Sequence, residues 1–129
     1  MSEVRGVVVA HGNLAQILIE TVEAISGVTG SLFPVTNAAC SPEDLGQRIR
    51  ATVGEGPAVV FVDLASGSCA HAALRLQRDF SSMAVVTGVN LPMLLDFVFH
   101  RDMDLAALTD RMVSKAHEGT TSFPPKSTA

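Results

Sequence analysis

Val7-Val8-Val9-Ala10-His11-Gly12-Asn13 is a short apolar run that stops at an imidazole, a glycine and an amide side chain. A longer amphipathic pattern, Leu14 to Ile25, begins immediately after it. A β-branched run without polar alternation predicts a strand covered on both faces, from Gly6 to Ala10. Leu14, Leu18, Val22 and Ile25 recur at helical spacing, with Asn13 as the expected N-cap and Gly27 as the stop. The stretch therefore reads as strand, tight turn and helix, with one histidine at the strand's carboxyl end. Ligands and chemistry collect at that edge in open α/β sheets.

The same alternation continues along the chain. Ser31 to Val35 reads as a second strand, and Pro34, lacking an amide donor, assigns it to a sheet edge. Ser41-Pro42-Glu43-Asp44 has the signature of a helix start, with Leu45, Ile49 and Val53 as its apolar face. Ala58 to Val62 is a continuous apolar run, expected to be central, and it ends at Asp63. A loop of small residues, Leu64 to Cys69, leads into a helix of about Ala70 to Phe80 that should bury Ala73, Leu74 and Leu76. Met83 to Thr87 is a fourth strand. Leu91 to Phe99 is a helix apolar over much of its surface, which suits deep burial or a subunit interface. The last helix runs from about Asp104 to His117 with Leu105, Leu108, Met112 and Ala116 inward. Residues 1–119 read as one domain and 120–129 as a polar tail, in which Thr120 to Phe123 is a candidate short strand.

This order implies a mostly parallel sheet with helices on both faces. Its compact solution places strand one between strands two and three and continues to strand four, the order 2-1-3-4. The carboxyl ends of strands one and three then form a switch point. His11 and Asp63, 52 positions apart, become neighbours there.

A length of 129 residues suits one domain with a real core, and 47% apolar residues exclude a disordered chain. No apolar run reaches the roughly 18 to 20 residues of a membrane span, and Met1 to Arg5 leads directly into the first strand without a signal peptide. Cys40 and Cys69 have no C-x-x-C spacing, so a cytoplasmic location is expected. A net charge of −4 and the lack of Trp and Tyr give no footprint for nucleic acid.

A carboxylate on one imidazole nitrogen fixes the tautomer and leaves the other free as a nucleophile. Asp63 on Nδ1–H of His11 would expose Nε2, the arrangement that phosphohistidine formation needs. Donors for phosphoryl oxygens are at hand in the amides of Gly12 and Asn13, and in Ser66, Gly67 and Ser68 before the third helix. With no G-x-x-x-x-G-K-[ST] and no G-x-G-x-x-G, a nucleotide is not the expected donor; another protein is. Each feature also has a purely structural reading: His11 as a loop residue, Asp63 closing a turn, Ser68 as an ordinary N-cap.

Three segments resemble the enzyme IIA domain of the mannose-family sugar phosphotransferase system (PTS). They are Val7-Val8-Val9-Ala10-His11-Gly12-Asn13-Leu14-Ala15, Phe61-Val62-Asp63-Leu64-Ala65-Ser66-Gly67-Ser68 and Gly88-Val89-Asn90-Leu91-Pro92-Met93-Leu94-Leu95. The last is the most specific, and the likeness covers most of residues 4 to 118. The resemblance implies a flavodoxin-like, three-layer α/β/α fold and a homodimer in which each subunit supplies a fifth, antiparallel strand to its partner. It implies that His11 accepts phosphate from the phosphocarrier protein HPr and passes it to enzyme IIB for a sugar entering through a IIC/IID membrane permease. Asp63 would orient His11, and Ser68 with nearby amides would bind phosphate.

The resemblance is not complete. The loop after the family's aspartate reads Gly-Gly-[Ser/Thr]-Pro with an asparagine two positions on, whereas this chain has Ser66-Gly67-Ser68-Cys69-Ala70-His71. His71 thus brings a second imidazole towards the site, either as an auxiliary positive charge or as an inert helix residue. Cys69 is read as a buried thiol. The spacing of His11, Asp63 and His71 is not a metal motif, so neither metal nor cofactor is expected. His100 and His117 read as surface or helix-end residues. Without a linker or a IIB domain, a stand-alone IIA is expected. The competing readings are a regulatory protein whose phosphorylation signals to a partner, the phosphotransfer subunit of dihydroxyacetone kinase, and a small metal-dependent hydrolase.

Overall fold

The computed structural model describes residues 3–125. Strand β1 (Arg5–Ala10) is followed by α1 (Leu14–Ser26), β2 (Leu32–Thr36), α2 (Pro42–Val53) and β3 (Ala58–Val62). Then come α3 (Ser68–Gln77), β4 (Met83–Thr87), α4 (Leu91–Phe97) and α5 (Leu105–Glu118). The four strands form one parallel sheet in the order β2-β1-β3-β4. Short connections and alternating strands and helices leave each parallel crossover to a helix.

Alternation along the inner strands sorts the core into two layers. Val8 and Ala10 of β1, with Val59 and Phe61 of β3, face α1, α4 and α5. Val7 and Val9, with Val60 and Val62, face α2 and α3. Phe61 meets Phe97 of α4 edge to face, with centroids 5.1 Å apart, a favoured aromatic geometry. Gly6 is needed where α4 approaches β1: a Cβ there would lie 2.6 Å from both Leu32 and Phe97.

The Gly88-to-Leu95 segment owes its form to Asn90. Its side-chain oxygen accepts the Met93 amide and caps α4, while its nitrogen donates to the Ala116 carbonyl of α5. One residue thus starts one helix and ties it to the next. Arg111 of α5 reinforces the pair with a forked bond to Asp96 of α4, at 2.6 and 3.0 Å. Burial raises the Asp96 pKa, but the Arg111 bonds and nearby positive charges outweigh it and hold the carboxyl below its ordinary value.

Two helix faces differ from the sequence reading. In α1 the buried residues are Ala15, Ile19 and Val22, while Leu14 and Ile25 are exposed. The helix carries apolar residues around most of its circumference, so spacing alone selects the wrong stripe. In α3 Leu74 is exposed, and the face is built from Cys69, Ala70, Ala72 and Ala73. Small residues let the helix lie close to the sheet. The third helix also starts two residues earlier than expected and ends at Gln77. Residues 120–125 contain no strand in the single chain; 126–129, the rest of the tail, lie outside the described residues.

Candidate functional site

Strands β1 and β3 are paired in parallel with Val9 opposite Val62, so both chains leave the sheet at the same edge. The Asp63 amide donates to the Val9 carbonyl at 3.3 Å, extending the ladder one step. This places the two side chains together. Asp63 Oδ2 lies 2.7 Å from His11 Nδ1 and also accepts the His11 main-chain N–H at 3.0 Å. Its other oxygen accepts the Leu64 amide at 2.9 Å. An ionised carboxylate can only accept, so the proton of a neutral ring lies on Nδ1 and Nε2 keeps its lone pair. The ring is 44% exposed and the carboxylate 9%. Burial raises the Asp63 pKa, but the bonds from the His11 amide and ring and from Leu64 outweigh it, and the group sits below its ordinary value.

The loops on either side differ in what they offer. Asn13 occupies the N-cap position of α1 but its side chain makes no capping bond. The Gly12 amide is already donated to Asn37 Oδ1 at 3.2 Å, and the Thr36 hydroxyl donates to the Gly12 carbonyl at 2.6 Å. Of the two amides expected to be open, only that of Asn13 is without an internal acceptor among the described residues. Asn37 and Thr36 were not singled out from the sequence. Extending β2 by one residue would have shown them, because Thr36 pairs with Ala10 and brings Asn37 to the same edge.

Gly67 precedes α3 with φ 98° and ψ −176°, a conformation essentially reserved for glycine. A Cβ there would lie 3.9 Å from the His11 ring, so the loop passes beside the imidazole. The first bond inside α3 runs from the His71 amide to the Gly67 carbonyl. The amides of Ser68, Cys69 and Ala70 precede that ladder and are open to an acceptor. Ser66 and Ser68 are exposed in the same turn.

Cys69 is fully buried and its Sγ lies 3.9 Å from His11 Nδ1. Burial, then the Asp63 charge, push its thiol above the ordinary value, so it is protonated at neutral pH. His71 makes no hydrogen bond to His11 or Asp63 among the described residues. It lines instead a groove of about 640 Å³ between α2 and α3, with Pro42, Gly46, Gly67, Ser68 and Arg75. His100 is half-buried with Nδ1 2.8 Å from the Asp96 carbonyl, and His117 is exposed.

The family model EIIA-man, described as PTS system fructose IIA component, matches residues 6–113. The chain belongs to this family. Its members are components of the sugar phosphotransferase system, which assigns the chain a phosphotransferase role. A phosphotransferase system component EIIA from Streptococcus agalactiae is similar in structure, with a TM-score of 0.87 and 25% identity, over 94% of this chain and 98% of that one. The mannose/sorbose-specific IIA subunit from Enterococcus faecalis shares the fold, with a TM-score of 0.80 and 17% identity over 99% and 100%. So does the IIA protein associated with the fucose utilization operon of Streptococcus pneumoniae, at 0.73 and 20% over 96% and 97%. No curated protein sequence matches the chain. No helix among the described residues is long and apolar enough to cross a membrane.

Proposed function

We propose that the chain is a phosphohistidine carrier that takes a phosphoryl group from phospho-HPr on His11 and delivers it to a IIB component for sugar uptake. The observation that carries this reading is the 2.7 Å contact between Asp63 and His11 Nδ1, which leaves Nε2 as the free nucleophile. Its lone pair attacks phosphorus, the new N–P bond forms as the donor's N–P bond breaks, and the electron pair returns to the donor imidazole. The incoming phosphoryl oxygens are met by the amides of Asn13, Ser68 and Cys69, the first-turn dipole of α3 and the Ser68 hydroxyl. Ser66 and Gly67 shape the turn that presents them. Because Gly12 already donates to Asn37, its part is to hold the loop. Asp63 remains an anion and stabilises the ring as it gains positive character.

Leu14, the first residue of α1, and Leu64, in the loop after Asp63, are exposed and favour a protein as donor and acceptor. They offer apolar contact to a docking protein. A homodimer belongs to the same reading. In the single chain β4 is an outer strand with one side unpaired, which gives a partner's antiparallel strand a place to join.

The test uses phosphoenolpyruvate, enzyme I and HPr. The chain should be labelled once, at His11, and His11→Ala should abolish labelling with the fold intact. Onward transfer to a IIB protein separates a transport carrier from a regulatory protein that only holds the phosphate. A wild-type chain that stays unlabelled sinks the proposal.

A further inference from the structure

His11, Asp63 and Cys69 bring a nitrogen, an oxygen and a sulfur donor within 4.8 Å of one another. The three come from different parts of the sheet edge: the end of β1, the end of β3 and the first turn of α3. We infer that they form a site for a thiophilic divalent cation of the zinc class, and that the metal, when bound, prevents His11 from accepting a phosphoryl group.

The donor spacing suits this. Zinc bonds of roughly 2.0 to 2.3 Å at tetrahedral angles separate neighbouring donors by about 3.3 to 3.6 Å. Sγ and Nδ1 are 3.9 Å apart and need to close by a few tenths. Nδ1 and Oδ2 are 2.7 Å apart and need to open by roughly half an ångström. The third pair, Sγ and the Asp63 carboxylate, lies within 4.8 Å and needs to close by roughly an ångström. All three are side-chain adjustments. Three protein donors leave the fourth position to water, the pattern of an open rather than a closed structural site. Asp63 also keeps its Oδ1 bond to Leu64, so it stays aimed while Oδ2 serves the metal.

Charge and protons balance. Asp63 is already an anion, the Cys69 thiol gives up one proton to solvent as its sulfur binds, and a dication with one carboxylate and one thiolate is neutral. That matters beside a buried sulfur, where an isolated thiolate is costly. The soft donor favours zinc, or cobalt as its spectroscopic substitute, over magnesium or calcium.

The effect on the imidazole follows from its single proton. In the metal-free chain Asp63 holds that proton on Nδ1, and Nε2 has the lone pair. A metal takes the lone pair of Nδ1 instead, so the proton moves to Nε2 and the nucleophilic position is lost. Cys69 supplies what a histidine and a carboxylate alone lack, and it stands where the family resemblance expects a proline.

The binding half of this inference is independent of the proposed function, and the inhibitory half rests on it. The metal-stripped full chain is titrated with cobalt(II), and then with zinc against a chromophoric chelator. One metal per chain and a thiolate-to-cobalt charge-transfer band are expected. Cys40→Ser, with Cys69 as its sole thiol, should keep the band. Cys69→Ser, or Cys69→Ala should the serine not fold, should lose it and bind zinc at least about tenfold more weakly. No band, a band that follows Cys40, or unchanged zinc affinity in both Cys69 variants overturns the site. Transfer from preformed phospho-HPr is then timed with and without one equivalent of zinc. A slowing of at least about tenfold is expected, and the ratio should approach one in the Cys69 variant. Equal rates with zinc demonstrably bound overturn the inhibition. A metal-free chain that never accepts phosphate refutes the carrier reading, and with it the inhibition, while the cobalt titration still decides the site.

Discussion

Asp63 Oδ2 accepts two hydrogen bonds from one residue, the ring Nδ1–H of His11 at 2.7 Å and its main-chain N–H at 3.0 Å. The second bond fixes the carboxylate to the backbone of the loop, so the first is not left to chance. The imidazole is oriented by a group that is itself held in place.

Asp63→Asn keeps the shape and removes the charge. A hydrogen bond to a charged group contributes roughly 1.5 to 3 kcal/mol, so transfer to His11 should slow about ten- to a hundredfold. Quenched-flow transfer from phospho-HPr measures it, with circular dichroism to show that the variant is folded. An unchanged rate would remove Asp63 from the mechanism.

The same carboxylate predicts a pH dependence. Its native pKa lies below the ordinary 3.8, so it contributes stability that is complete above that value and is lost as pH falls through the lower native pKa. Wild type should be more stable than Asp63→Asn at pH 6, and the gap should narrow below about pH 4. Urea unfolding at several pH values reads this directly. A constant gap would mean that the charge of Asp63 is not what stabilises the loop.

Gly67→Ala tests the turn beside the ring. The new methyl would meet only ordinary contact with His11, at 3.9 Å, so the cost is in the backbone at φ 98°. Destabilisation of about 1 to 3 kcal/mol is expected, together with slower phosphoryl transfer as the α3 amides shift. A neutral substitution would show that the turn tolerates another conformation.

Gly6→Ala has no route to the site except through the core. Its methyl would press on Leu32 and Phe97 at 2.6 Å, and overpacking of this kind costs about 1 to 3 kcal/mol. The midpoint of denaturant unfolding should fall, while the transfer rate of the folded fraction stays near wild type. A midpoint equal to wild type would mean that α4 moves away from β1 at little cost.

Strand order and the pairing of His11 with Asp63 were legible because punctuation and topology agree. Gly27 ends α1 in the left-handed conformation, and Ser41 caps α2 by accepting the Asp44 amide. Pro34 correctly assigned β2 to the edge. What was not legible depended on packing between elements. Nothing in α1 says that Ala15 rather than Leu14 turns inward, since several stripes have helical spacing. Cys69 was read as a bland thiol because its place beside His11 depends on how far α3 begins before Ala70. Asn37 was missed for a similar reason, two residues past the expected strand end at Val35.

The two margins of the sheet are unlike. On β2, Pro34 interrupts the row of main-chain donors, which discourages any further strand from adding there. On β4, Met83 to Thr87 contains no such break. Molecules that associate through extended segments therefore have one receptive side each. If two chains pair through β4, each has used its receptive edge, and none is left for the open-ended stacking that produces fibrils.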